Sequence, residues 1–395
     1  MRILITNHNL GKHGGTEMYV RDLAIGLLKR GHLPIVFSMN LGVVAKELIT
    51  ATVPVVDDLS KVKEPPELIH AQHSLESALA LLAFPGVPAI YTCHDWGWEH
   101  DFPPSVERIK RYIAVDVTVK DRLTEREQIP ANKIALLQNA IDLQRFKPRT
   151  ALPEKPHRAI VFSNYMSPEQ VSAIRQACEP LNITVDSAGT KVWNPTSEPE
   201  KLLPHYDLVF AKGRCAWESL AVGCSVICCD QQGMGPLVTL DQLEFLTQRN
   251  FGRRTLQNPI SLENVQREVL RYNASDAQQV SQQIRQSAGL EQLLTQIEHL
   301  YNQVLEESQN QAPIALAEEM QSLSRFLAYW WKSQPEFDPY LFAVNASVEA
   351  NRSQYSAMHQ QLAALTQQVE QLQKVQTTPK PTWWQKVQDL FRPRA

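Results

Sequence analysis

Two glycine-bearing junctions between a strand and a helix constrain this chain more than any other feature. In the first, Arg2-Ile3-Leu4-Ile5-Thr6 reads as a strand that runs through Gly11-Lys12-His13-Gly14-Gly15 into a helix beginning at Thr16-Glu17. In the second, Asp207-Leu208-Val209-Phe210 runs through Lys212-Gly213-Arg214 into a helix carrying Glu218. Glycine permits a tight turn and close backbone approach, and a helix start offers unpaired N–H groups and a positive dipole end. Each junction can therefore hold an anion, and two of them point to a cleft that handles a phosphorylated substrate.

Around the junctions, short apolar runs alternate with helical patterns, which predicts mainly parallel sheets covered by helices on both faces. After the first strand, Tyr19, Leu23 and Leu27 give an amphipathic helix from Glu17 to Arg30, ended by Gly31-His32. Further strands are predicted at 34–37, 53–56, 68–71, 89–92, 112–115 and 134–137, with helices at 74–83 and 120–128. Pro148, Pro153 and Pro156 mark a linker, after which strands return at 159–162, 183–185, 208–210 and 226–229. The expected organisation is an N-terminal Rossmann-like domain over 1–150 and a C-terminal one over 157–307. Their facing strand ends leave a cleft.

The 39 basic and 42 acidic residues nearly cancel to −3, and no long basic block precedes the extreme C-terminus, so nucleic acid is not an expected partner. Cys93, Cys178, Cys215, Cys224, Cys228 and Cys229 fit neither CxxC zinc spacing nor a small disulfide scaffold. Most fall in or beside predicted buried elements, so core packing in a reducing compartment is expected. Polar Thr6-Asn7-His8 interrupts any signal-peptide core, and no later run reaches membrane-spanning length. A cytoplasmic chain is expected, peripheral at the inner membrane face if its tail docks there.

Residues 314–376 read differently. Val348, Tyr355, Met358, Leu362, Leu365, Val369 and Leu372 follow heptad spacing, with Asn351 at one seam position. This predicts either a coiled coil that makes a homo-oligomer or one amphipathic helix folded back on the body. In 382–395, Trp383, Trp384, Val387, Leu390 and Phe391 cluster on one side of a short helix beside Lys386, Arg392 and Arg394. Such a face suits a membrane surface or a protein surface equally.

Four segments together resemble a known family. Gly14-Gly15-Thr16-Glu17, then a helix closed at Gly31-His32, is similar to the GGxE opening of GT-B glycosyltransferases of family 4. Tyr91-Thr92-Cys93-His94-Asp95 resembles the family's strand ending in a cleft histidine. Leu137-Gln138-Asn139-Ala140-Ile141-Asp142, with Phe146 and Pro148, resembles its PNGvD segment, and Glu218 to Ile227 resembles its EAmAcGxPVI stretch. The resemblance implies an α/β GT-B fold, two Rossmann-like domains facing a cleft, here with a C-terminal helical or coiled-coil tail.

It implies a transferase that moves a sugar from a nucleotide-diphosphate donor with retention of configuration, as in synthesis of cell-envelope polysaccharide. Carbohydrate, lipid-linked or protein acceptors all suit it. His94 would be catalytic; Gly15, Lys212, Gly213, Arg214, Glu218 and Gly235 would hold the donor; Gly14, Thr16, Glu17 and Asp95 would lie on the acceptor or sugar side. The nucleotide sugar is a co-substrate, and no separate cofactor is expected. Asp57-Asp58 is adjacent acid rather than a DxD metal motif, and no metal is expected.

Two positions depart from the pattern. Phe210 stands eight residues before Glu218, so the first glutamate of the family's E-x7-E is missing. Ser163-Asn164-Tyr165-Met166-Ser167-Pro168 stands where the family carries an Arg and a Lys, with Arg175 the next basic residue along the chain. Either Lys212 and Arg214 take over charge stabilisation, or the chain is a degenerate, non-catalytic sugar-binding or scaffold protein. A GT-B sugar-nucleotide epimerase would share the same two-domain cleft.

Overall fold

The computed structural model describes residues 1–97, 99–311 and 315–333. The predicted heptads and the amphipathic segment at 382–395 lie outside the described residues. Residues 1–328 form one compact unit, and the described residues beyond it, 329–333, are the last residues of the final helix.

The N-terminal strands are β1 (Arg2–Thr6), β2 (Asn9–Leu10), β3 (Leu33–Phe37), β4 (Asn40–Leu41), β5 (Val55–Val56), β6 (Leu68–Gln72), β7 (Ala89–Cys93), β8 (Ile109–Ala114) and β9 (Ile134–Leu136). Seven of them form a sheet in the order β5-β3-β1-β6-β7-β8-β9, and β2 and β4 form a separate short pair. All these pairings are parallel. Parallel strands are buried on both faces, hence their continuous apolar runs. In β1 the alternation is visible: Ile3 and Ile5 enter one core and Leu4 the opposite one. The helices are α1 (Gly15–Lys29), α2 (Val43–Thr50), α3 (Ser74–Ala83) and α4 (Val117–Asp121). Helix α4 passes directly into a π-turn over Arg122–Arg126, where the sequence predicts one continuous helix.

The second sheet holds β10 (Arg158–Phe162), β11 (Thr184–Ala188), β12 (Leu208–Ala211), β13 (Ser225–Asp230) and β14 (Gly233–Leu237), in the order β11-β10-β12-β13-β14. Its helices are α5 (Pro168–Cys178), α6 (Pro199–Leu202), α7 (Gly213–Val222), α8 (Leu243–Gln248), α9 (Leu262–Val269) and α10 (Ala274–Ser287). Strand β14 runs antiparallel to β13. The glycines and proline of Gly233 to Pro236 predict a loop, but the segment lies in a strand. A side chain at Gly233 would come within 2.5 Å of the Asn258 carbonyl oxygen, and one at Gly235 would meet the Thr255 carbonyl, so the backbone of 255–258 demands glycine here. The cysteines are free thiols, with Cys215 half-buried and the others buried.

The chain then crosses back. Ile141 N–H donates to the Ala288 carbonyl, and Leu290 N–H donates to the Ile141 carbonyl, each at 2.9 Å. Beyond this crossing, α11 (Leu290–Gln309) lays Leu293, Leu294, Ile297, Tyr301 and Val304 into the N-terminal core, although it falls within the span assigned by sequence to the second domain. Gly26 on α1 makes room for it: a Cβ there would stand 2.5 Å from Leu294 Cδ1. Helix α12 (Leu316–Ser333) inserts Leu323 into the other N-terminal core, and its Glu319 pairs with buried Arg108. In the opposite direction, Ile141 and Phe146 of the interdomain segment belong to the C-terminal core.

Candidate functional site

The loop that feeds α1 is fixed at its base. Gly11 N–H donates to Asn9 Oδ1 at 2.6 Å, and Gly42 packs so closely that a Cβ there would come within 2.6 Å of the Gly11 Cα. Gly14 is the N-cap of α1, in extended backbone with no side-chain cap, and Gly15 is the first helical residue. The Glu17 carboxylate folds back against Gly14 and accepts from the Thr16 hydroxyl at 3.1 Å. Burial pushes the Glu17 carboxyl up, against the opposing pull of its own backbone N–H, Thr16 and the charges of Lys12 and His8.

Helix α7 starts the same way. Lys212 is its N-cap and Gly213, at φ +53°, its first residue. That conformation favours glycine, which explains the Lys-Gly-Arg order. Lys212 ion-pairs with Asp230 at the end of β13 and lies 5.5 Å from the Tyr165 ring centroid. Asp230 is buried and accepts from the Ser163 hydroxyl at 2.6 Å. Arg214 donates to Glu218 Oε1 at 2.7 Å and also pairs with Asp22 of α1. Burial pulls the guanidinium down, but these two carboxylates outweigh it and hold it above its ordinary value. Burial raises the Glu218 carboxyl, with Arg214 opposing.

These groups meet around one cavity of about 540 Å³, walled by Gly14 and Gly15 from one domain and by Lys212, Gly213, Arg214 and Glu218 from the other. Of the residues proposed from sequence, Thr16, Glu17, His94, Asp95 and Gly235 do not line it. Glu17 stands behind Gly14, and Gly235 is buried in β14.

His94 follows β7, half-buried, with Nε2 2.6 Å from Gln72 Oε1 and its ring 4.9 Å from that of Tyr19. Burial pushes its pKa down to about 4, so the ring is neutral at pH 7. Its loop is tied by Asp101, whose Oδ2 accepts from the backbone N–H groups of His94 at 2.6 Å and Asp95 at 2.7 Å. Burial drives Asp101 up to about 7 despite Arg122 and those two donors. Among the described residues, no three His, Cys, Asp or Glu side chains converge as metal ligands.

The departures have structural explanations. Phe210 is fully buried, and β12 turns it into the core opposite the one that receives Val209. Ser163 holds Asp230, and the Ser167 hydroxyl caps α5. Arg175 donates to the Val185 carbonyl at 3.0 Å, toward β11 and not into the cleft. Sequence reasoning missed Asp22, Asp230 and Arg145. Asp230 had a usable signal, its place just beyond a predicted strand, whereas mid-helix Asp22 had none.

Residues 13–145 match the family model described as Glycosyltransferase Family 4. The N-terminal domain of this chain is similar to that family. Sequence comparison finds no match among curated proteins. Solved structures with the same GT-B fold include Anabaena HepE in complex with UDP-glucose, 16% identical, covering 77% of this chain and 100% of that one at a TM-score of 0.56. A glycosyltransferase from Rickettsia africae is 17% identical over 77% of this chain and 98% of that one, at 0.51. A putative UDP-N-acetylglucosamine 2-epimerase from Listeria monocytogenes is 13% identical over 80% and 99%, also at 0.51. At these identities the likeness establishes the GT-B fold and leaves the chemistry of this chain to its own residues.

Proposed function

We propose that this Family 4 chain transfers a sugar from a nucleotide-diphosphate donor to an acceptor hydroxyl, with retention of configuration. The observation that carries the reading is the confrontation of two helix starts, Gly14-Gly15 of α1 and Lys212-Gly213-Arg214 of α7, across one cavity with Glu218 on its wall. The bond from the anomeric carbon to the diphosphate oxygen breaks, and its electron pair leaves on the diphosphate. The acceptor oxygen forms the new bond, and its proton passes to the departing diphosphate. Helix N–H groups and basic side chains meet the charge as it develops, where such contacts are worth most, and no metal enters the step. Glu218 takes the nucleotide ribose, and neutral His94 is assigned to the sugar side. The proposal includes a cytoplasmic location and a carbohydrate, lipid-linked or protein acceptor.

One observation favours a second reading, a non-catalytic sugar-binding protein: Phe210 in the core removes a carboxylate that the family resemblance assigns to the sugar. A thermal-shift panel of UDP-, GDP- and ADP-sugars tests donor binding, because a ligand that binds the folded state raises apparent stability. Stabilisation by one donor, with release of its nucleoside diphosphate in the presence of an acceptor, supports transfer. Stabilisation with no release under any acceptor supports the second reading, and no stabilisation by any of them overturns both.

A further inference from the structure

Among the described residues, five basic ones line the cleft: Lys12, His13, Arg145, Lys212 and Arg214. Four are already paired with carboxylates. His13 contacts Glu47 at 2.7 Å, Arg145 contacts Glu200 at 2.7 Å, Lys212 pairs with Asp230, and Arg214 with both Asp22 and Glu218. The two cations expected to stabilise the leaving group are thus matched by three acids, and their wall of the cleft offers a diphosphate little net positive charge. Lys12 differs. Among the described residues it has no ion pair or hydrogen bond; its charge is felt by Glu17 only at a distance.

We infer that Lys12 is the cation that meets the diphosphate, doing from the N-terminal domain what the missing Arg and Lys after β10 would do from the other. The inference rests on the donor reading above. The loop suits the role: its base is held by Asn9 and Gly42, Gly14 and Gly15 present the start of α1 beside it, and the Lys12 side chain is exposed. A fixed backbone with a free ammonium group spends little ordering entropy and loses no existing partner when an anion arrives. Lys212 and Arg214, by contrast, must share their protons with carboxylates that repel the same anion.

The test uses the full chain with UDP, GDP and ADP, measured by calorimetry, and the nucleoside of the tightest binder as a phosphate-free control. Lys12→Ala should weaken the nucleoside diphosphate by about tenfold to hundredfold, the range of one charge-assisted hydrogen bond, and leave the nucleoside unchanged. Lys12→Arg should restore most of the affinity, and the alanine variant should show a shallower salt dependence. Because Lys12 is exposed and has no partner among the described residues, an unaltered thermal midpoint is expected and binding is read on folded protein. If Lys12→Ala binds the diphosphate like wild type while Lys212→Ala does not, the inference is overturned and the donor reading stands. If Lys12→Ala weakens diphosphate and nucleoside equally, the residue does not act on phosphate and the inference is again overturned. If wild type binds none of the three, the donor reading fails and the inference falls with it.

Discussion

Arg214 of α7 ion-pairs with Asp22 of α1, a residue 192 positions away on the other domain. The same guanidinium holds Glu218, and side-chain exposures of 14%, 9% and 6% for Arg214, Asp22 and Glu218 make this a largely dehydrated link beside the cleft. Removing the cation leaves Glu218 buried without its ion-pair partner and Asp22 with Arg21 alone at 3.1 Å, whereas removing Asp22 leaves Arg214 still paired. Arg214→Ala should therefore cost about 3–5 kcal/mol in urea unfolding, the range for breaking a buried pair, and Asp22→Asn clearly less. The double variant should recover part of the Arg214→Ala loss, since the Asp22 charge that opposes the Glu218 carboxylate is gone. Additive losses would show that Asp22 and Arg214 are not coupled.

His94 is held at Nε2 by Gln72 and stays neutral, which leaves Nδ1 to act as an acceptor. If it contacts the reacting sugar, the contact matters most in the transition state. His94→Ala should then lower kcat by about tenfold to hundredfold while nucleoside-diphosphate affinity is unchanged. A folded variant that transfers sugar at the wild-type rate would remove His94 from the reaction centre.

His70 carries a pH dependence of stability. It is fully buried, with Nδ1 2.6 Å from the Tyr301 hydroxyl and Nε2 2.8 Å from the Thr92 hydroxyl, and burial, then the nearby His94, lower its pKa to about 3. An unfolded histidine titrates near 6.5, so between these values the unfolded chain binds the extra proton. Its contribution is complete above about 6.5 and declines as pH falls toward 3. Asp101, raised to about 7, acts in the opposite sense: its contribution is complete below the unfolded carboxyl value of about 3.9 and is lost as pH rises through 7. Comparison with His70→Asn isolates the histidine. The variant should be less stable at pH 7, and its deficit should shrink at about pH 4.5, measured by urea unfolding. A deficit independent of pH would mean that His70 titrates alike in both states.

The tail prediction depends on where the chain is cut. Truncation after Ser333 keeps Leu323 and the Glu319–Arg108 pair, and should preserve the thermal midpoint and donor binding. Truncation after Glu307 removes both and should lower the midpoint sharply, leaving Arg108 buried without its carboxylate. With the longer truncated chain, light scattering and co-sedimentation with anionic vesicles separate self-association from membrane contact. Loss of neither property on truncation would assign the tail another role.

Local pattern made much of the fold legible. Ser74–Ala83 forms the predicted helix, the apolar runs at 68–71, 89–92 and 208–210 are strands, and both glycine junctions open helices. These are short-range consequences of side-chain periodicity and backbone freedom. Gly233 to Pro236 was not legible, because glycine and proline signal a loop until the Thr255 and Asn258 carbonyls are known to press against them. Nor was α11: its apolar stripe predicts burial without saying that Gly26, far earlier in the chain, leaves the space.

The sequence by itself determined that two mainly parallel α/β sheets would form and that Gly14-Gly15 and Lys212-Gly213-Arg214 would stand at helix starts, since turn chemistry and periodicity are local. Only the tertiary structure decided that these starts share one cavity, that Asp22 and Asp230 occupy the cations beside it, and that Lys12 is left unpaired among the described residues. Charge pairing depends on distance in space rather than in sequence, and in a dehydrated cleft a carboxylate contributed by the other domain changes what an arginine is free to bind.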